Sequence, residues 1–146
     1  MSKKIPAYIF VFLQLSSLMY IMVSGPWLAP SINGMLVEVA GLFLGVVAIL
    51  TMKIGNFNIA PLPKTDGVLV TNGVYSILRH PMYLAQLLVV APLVFDHFTW
   101  PRLIAVIVLL VDLVVKLHFE EKQLMLKFEG YAAYMEKSWR LLPYIY

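Results

Sequence analysis

Four stretches of this chain carry almost no charge, and they decide what it can fold into. Ile5–Val23 has none. Met35–Met52 is interrupted only by Glu38 near its start. Pro81–Phe95 has none, and Leu103–Leu117 carries Asp112 and Lys116. A helix that crosses a bilayer needs about 20 apolar residues. The first two stretches meet that length, and the last two are shorter. Only the seven residues Asp96–Arg102 separate the last two, so they read as an antiparallel helical hairpin. The chain is 61% hydrophobic and 13% charged, against roughly 25% charged in a soluble domain. The expectation is an all-α integral membrane protein of one domain, 1–146, with four transmembrane helices. Residues 1–60 would form two N-terminal spans, and 61–146 a functional core.

The connections support this division. Ser24 to Gly34 holds two prolines, two glycines and no charge, and reads as a tight turn. Trp27 and Trp100 fall in the two connections expected on one face, where aromatic belts lie. Lys53–Leu78 is long, with turn signals at Asp66-Gly67 and Asn72-Gly73. Between them Val68-Leu69-Val70 is too short to span and too apolar for solvent, so it is expected to pack over a pocket. At the N-terminus the apolar run exceeds the 7–15 residues of a signal-peptide core. It is read as a span, with cleavage near Ser24-Gly25 as the alternative.

Cationic residues are placed unevenly. Lys3, Lys4, Lys53, Lys64, Arg79, Lys116, Lys122, Lys127, Lys137 and Arg140 fall on one side of a four-span arrangement, and Arg102 alone on the other. Cytoplasmic loops are enriched in Lys and Arg, so both termini are expected in the cytoplasm. Phe119–Trp139, with Leu124, Phe128, Tyr131 and Met135 on a helical stripe, predicts a cytoplasmic amphipathic C-terminal helix.

Chemistry-bearing residues gather on that same side. Pro81 suits the first turn of a helix, which puts Arg79 and His80 at an N-terminus that favours anions. Arg79 offers a donor fork for a carboxylate or phosphate; equally, it could be one more cytoplasmic anchor. Tyr83 shares a face with His80, or is an interfacial aromatic. Asp112, Lys116 and Glu120 lie on one stripe of the fourth helix. They read as a lined polar pocket or as a plain Asp112–Lys116 pair with Lys116 snorkelling to the interface. Glu120 and Glu121 are either ligands or a solvated helix start. His97 and His118 read as ordinary surface and interfacial histidines. There are no cysteines, so thiolate chemistry and cysteine-based zinc are excluded, and three scattered histidines give no metal pattern. No phosphate-binding glycine motif of a soluble nucleotide fold is present, and nothing suggests nucleic acid.

Taken in order, Leu69-Val70-Thr71-Asn72-Gly73-Val74-Tyr75, Arg79-His80-Pro81-Met82-Tyr83, Glu120-Glu121-x-x-Leu124 with Phe128, Tyr131-x-x-Tyr134 and Leu142-Pro143 resemble the isoprenylcysteine carboxyl methyltransferase family. That family is grouped with the membrane phospholipid N-methyltransferases. The resemblance covers about Pro61 to Pro143 and leaves the first two spans without a motif. It implies a membrane methyltransferase dependent on S-adenosyl-L-methionine, with a lipophilic or lipidated acceptor. Leu69, Val70 and Tyr75 would line the adenosine side. His80, Pro81, Met82 and Tyr83 would hold the methionine moiety and ribose, and Glu120 would contact the cofactor. Arg79 and Glu121, beside them, complete the expected cofactor-binding set. Lys116 stands where the family often has an arginine facing the acceptor, so Lys116 and Glu120 are the catalytic candidates. Ala85 replaces a common glycine, and Phe128-Glu129-Gly130-Tyr131 is one residue shorter than the family's pattern.

Methyl transfer is in-line displacement at a carbon already activated by a sulfonium, so the protein mainly positions and excludes water. A carboxylate acceptor needs no base. An amine or thiol would, with His118 or Glu121 nearby. Two other readings stay open: an NADPH-dependent membrane reductase of the sterol-reductase type, and a non-enzymatic membrane scaffold. A homodimer is compatible with a chain this small. If Glu120 is the ligand, Glu121→Gln is expected to leave folding intact.

Overall fold

The computed structural model describes residues 4–52, 60–63 and 66–146. Lys3, Lys53 and Lys64, used above for orientation, lie outside the described residues, as does the side chain of Lys4. Among the described residues the chain is helical, with no strand. The elements are α1 (Lys4–Val23), α2 (Ile32–Met52), a 3-10 turn (Gly73–Ser76), α3 (Pro81–Asp96), α4 (Trp100–Lys127) and α5 (Tyr131–Met135). Two segments, Ile5–Val23 and Ile32–Met52, are long and apolar enough to cross a membrane. Both turn most of their large apolar side chains outward, as lipid-facing helices do.

Four helices pack in two pairs, α1 on α4 and α2 on α3, joined where α3 meets α4. The consecutive helices α1 and α2 make no comparable contact among the described residues. The α2–α3 pair is close because Gly41 has no side chain. A Cβ there would stand 2.8 Å from Leu88 Cβ and 3.0 Å from the Ala85 carbonyl oxygen.

One end of the bundle is closed by polar clamps. Thr99 caps α4 by accepting from Arg102 N at 3.4 Å, and Pro101 lies in the first turn. The Arg102 side chain is fully buried and donates to the Ile21 carbonyl at 2.9 Å, Ser24 Oγ at 3.0 Å and the Leu93 carbonyl at 2.7 Å. It fastens α1, α3 and α4 together beside the buried cluster of Ile21, Ala29, Val90, Leu93, Val94, Leu109 and Leu113. Asp96 Oδ2 accepts from the Ser31 amide at 2.9 Å and Ser31 Oγ at 2.5 Å. The two connections bearing the exposed Trp27 and Trp100 therefore share an end, as their composition suggested.

At the other end the expected C-terminal helix is corrected. Phe119–Trp139 is not one element: α4 runs on to Lys127, Phe128 turns extended (φ −118°, ψ 112°), and only Tyr131–Met135 is helical again. Continuing α4 keeps Glu120 and Glu121 in register with Lys116. The break at Phe128–Gly130 turns Tyr131 and Tyr134 back onto the bundle. The chain then runs alongside the segment before α3. Trp139 N donates to the Ile77 carbonyl at 2.8 Å, Arg79 N to the Trp139 carbonyl at 2.7 Å and His80 N to the Arg140 carbonyl at 3.1 Å.

Candidate functional site

This end of the bundle holds a cavity of about 430 Å³, within the usual range for small-molecule sites. Its walls come from every described part of the chain that reaches there. Leu69, Val70 and Tyr75 come from the long connection, Arg79 to Tyr83 from the start of α3, and Lys116, Glu120 and Leu124 from α4. The expected packing of the 68–70 segment over a pocket is borne out. Of the residues singled out in the sequence for chemistry, Glu121, Asp112, His97 and His118 are not in the wall.

Gly73 makes the approach to α3 with φ +57°, the left-handed region that glycine tolerates. A Cβ there would press on Thr51 Cγ2 at 2.9 Å. The 3-10 turn that follows buries Tyr75 and leads into His80 and Pro81, the latter at the first position of α3. The His80 and Tyr83 rings stack, 5.3 Å between centroids and 5° between planes, so the predicted shared face is present. Tyr83 OH donates to Glu120 Oε2 at 2.6 Å. His80 Nδ1 lies 3.8 Å from the same oxygen. His80 Nε2 is buried without a hydrogen bond, although Glu121 Oε1 is 3.4 Å away.

The adjacent glutamates are in opposite situations. Glu121 is buried; its Oε1 accepts from Arg79 Nε at 2.8 Å and its Oε2 from Arg140 Nε at 3.0 Å. Burial pushes the Glu121 carboxyl up, but His80, Arg79 and Arg140 outweigh it and hold it down at about 2. Arg79 Nη1 also donates to the Met135 carbonyl at 2.9 Å and to the Ser138 carbonyl. Two of its donor positions are thus committed inside the protein. Glu120, by contrast, keeps 27% of its side chain accessible and faces the cavity with a neutral tyrosine as its hydrogen-bond donor.

Lys116 departs from both simple expectations. It forms no ion pair with Asp112 and does not reach for the surface; it is 1% exposed and donates to Gln14 Oε1 at 2.5 Å. Its Nζ lies 5.3 Å from the centre of the Tyr83 ring. Gln14 Nε2 donates in turn to Gln86 Oε1 at 2.6 Å. Both carboxylate oxygens of Asp112, one turn earlier in α4, are buried without a hydrogen-bond partner. His97 ends α3 at the opposite end of the bundle, and His118 is taken up by the Val114 carbonyl and Tyr146 OH.

Sequence reasoning missed Gln14 and Gln86 in the wall. Their only signal was a glutamine in each of two otherwise apolar runs. Tyr134 was noted only as part of a motif; its OH donates to the Tyr75 carbonyl at 2.7 Å, and burial raises its phenol to about 12. It thereby ties α5 to the wall. Among the described residues no three His, Asp or Glu side chains are grouped to hold a metal ion.

A family model described as phospholipid methyltransferase matches residues 30–132. No curated protein and no solved structure matches the chain.

Proposed function

The chain belongs to the phospholipid methyltransferase family and is a membrane methyltransferase; on that footing we propose that it uses S-adenosyl-L-methionine to methylate a lipophilic acceptor at the cytoplasmic face. The observation that carries this reading is the contrast between the two glutamates. Glu121 is neutralised by two arginines, while Glu120 presents a carboxylate to a largely apolar cavity. A single oriented carboxylate in an apolar wall fits a cofactor that brings ribose hydroxyls and cationic groups. The stacked His80 and Tyr83, with Leu69, Val70 and Tyr75 lining the same cavity, offer flat apolar faces for the rest of it.

S-adenosyl-L-methionine, when bound, supplies a methyl carbon activated by its sulfonium. The protein's share is position and dryness. Tyr83 orients Glu120 through its 2.6 Å hydrogen bond, and Glu120 would accept hydrogen bonds from the bound cofactor. Leu69 and Val70 cover the cavity and keep water out. Arg79, Glu121 and Arg140 act as positioning residues that hold the start of α3 against α4. Lys116 lies on the acceptor side. We place α3 and α4 in the membrane beside α1 and α2, with both termini cytoplasmic, so that the acceptor arrives through lipid and the cofactor from water.

Calorimetric titration of the detergent-purified protein with S-adenosylhomocysteine tests the reading. Micromolar binding is expected, with Glu120→Gln weakening it at least about tenfold, or 1.4 kcal/mol. Binding of NADPH in place of S-adenosylhomocysteine would transfer the site to reductase chemistry. Binding of neither would end the enzymatic reading of this cavity.

A further inference from the structure

Trp27 and Trp100 mark one end of the bundle, and the third tryptophan of the chain, Trp139, lies at the other, paired through its backbone with Ile77 and Arg79. It opens a segment, Trp139–Tyr146, that takes no part in the cavity wall. Leu141 to Tyr146 carry no charge. Leu141 is buried, but Trp139, Leu142, Tyr144 and Ile145 point away from the protein, Tyr144 at 86% and Ile145 at 79% exposure. The segment is nonetheless a built turn. The Leu141 and Leu142 amides both donate to the Tyr146 carbonyl at 2.9 Å, and the Tyr146 amide donates back to the Leu142 carbonyl at 3.0 Å. Tyr144 has φ +65°, the left-handed region, and is the one non-glycine residue to do so among the described residues. Its ring meets that of Trp139, 5.5 Å between centroids. A conformation that tyrosine seldom adopts is thus used to hold apolar side chains outward, where water would oppose them.

The position of the turn says what covers it. Tyr146 OH lies 3.3 Å from His118 Nε2 on α4, and the Arg140 guanidinium lies 5.3 Å from the centre of the Tyr146 ring. His118 continues the outward stripe of α4: Ile104, Val108, Val111 and Val115 are exposed at helical spacing, and His118 follows three residues on. The turn therefore sits at the foot of a face that meets lipid when α4 is in the membrane. Its depth follows from helix length. From Trp100 to His118 is 18 residues, or about 27 Å of helix, against a hydrocarbon core about 30 Å thick. Charge returns to α4 two residues later, at Glu120-Glu121-Lys122. We propose that Trp139–Tyr146 is an interfacial anchor, a turn that inserts Trp139, Leu142, Tyr144 and Ile145 into the boundary between head groups and acyl chains of the leaflet at the cavity end. The inference rests on the placement of α4 across the membrane and is independent of the cofactor. Tyrosine and tryptophan suit that boundary because their rings are apolar and their tips polar. The same segment is bonded through its backbone to Ile77, Arg79 and His80, so the anchor fixes the entry of α3 at one depth beside the lipid.

Trp139 is its own reporter. Trp27→Phe with Trp100→Phe leaves it as the single tryptophan, and the protein is reconstituted into phosphatidylcholine vesicles with or without bromine near the top of the acyl chains. Trp139 fluorescence is expected to fall at least about twofold in the brominated vesicles, since a ring at the boundary touches those atoms. Iodide, present on both sides of the membrane, should quench it little. Tyr144→Ser with Ile145→Ser in the same background should weaken the quenching by lipid and admit iodide. A second protein, Trp27→Phe with Trp139→Phe, reports Trp100 at the opposite interface. Trp100 quenched by lipid while Trp139 answers only to iodide would overturn the anchor and leave the span standing. Lipid quenching of Trp139 that is indifferent to the Tyr144 and Ile145 changes would overturn the turn as the inserting element. Lipid quenching of neither tryptophan would overturn the placement of α4 together with the anchor.

Discussion

Arg79, His80, Glu120 and Glu121 show how far single residues can be read from a sequence. Their types and spacing gathered them at one site, because a helix entry at Pro81 and a second helix ending on the same side leave little choice. Their division of labour was not legible. Nothing in a Glu-Glu pair says which member turns inward. That depends on the rotation of α4 and on Arg140, whose approach follows from a chain reversal after Phe128. The expectation that Glu121→Gln leaves folding intact therefore changes. With both oxygens on arginines in a buried setting, removing the charge leaves Arg79 and Arg140 uncompensated and should cost about 3 kcal/mol. A clear drop in melting temperature in detergent is expected, and an unchanged melting temperature would refute the clamp. Its pH dependence has a defined sign. The folded carboxyl, at about 2, lies below its ordinary 4.5, so the stabilisation is complete above about pH 4.5 and fades as pH falls toward 2. Glu121→Gln should flatten that acid limb in a pH series of melting curves.

Helix existence was read well from apolar runs, and helix ends were read well where proline and glycine mark them. The exception is the tail. A stripe of Leu124, Phe128, Tyr131 and Met135 has helical spacing, but the spacing does not reveal that α4 stops at Lys127 and that backbone pairing with Ile77–His80 takes over. Long-range pairing of this kind overrides local pattern and leaves no periodic trace. Helix contacts follow simpler rules. Gly41 and Gly45 look alike in the sequence, yet a Cβ on Gly41 meets Leu88 at 2.8 Å while one on Gly45 meets Ala85 Cβ at 3.5 Å, an ordinary contact. Gly41→Ala should therefore separate α2 from α3 and destabilise by about 1–3 kcal/mol. Gly45→Ala should be neutral or stabilising by up to about 1 kcal/mol through helix propensity. Paired thermal melts decide this, and equal effects of the two changes would show that the α2–α3 contact is not set at Gly41.

For the whole molecule, the proposed orientation rests on charge placement, and the absence of cysteine from the sequence makes it directly testable. Phe98 is 51% exposed at the end carrying Trp27 and Trp100, and Glu136 is exposed at the cavity end. In intact cells Phe98→Cys should react with a membrane-impermeant maleimide, and Glu136→Cys should react only after permeabilisation. The opposite pattern would invert the topology. Hydropathy and the Lys/Arg count supply an expectation at this level, whereas the pairing of α1 with α4 and α2 with α3 was not legible in the sequence, since apolar faces of similar composition do not name their partners. Residues 30–132 carry α2, α3 and all of α4, while α1 lies outside them, rests on α4 and lines the cavity with Gln14, Leu15 and Leu18. A change confined to this one helix can therefore reshape one side of the cavity while every wall residue contributed by 30–132 stays as it is.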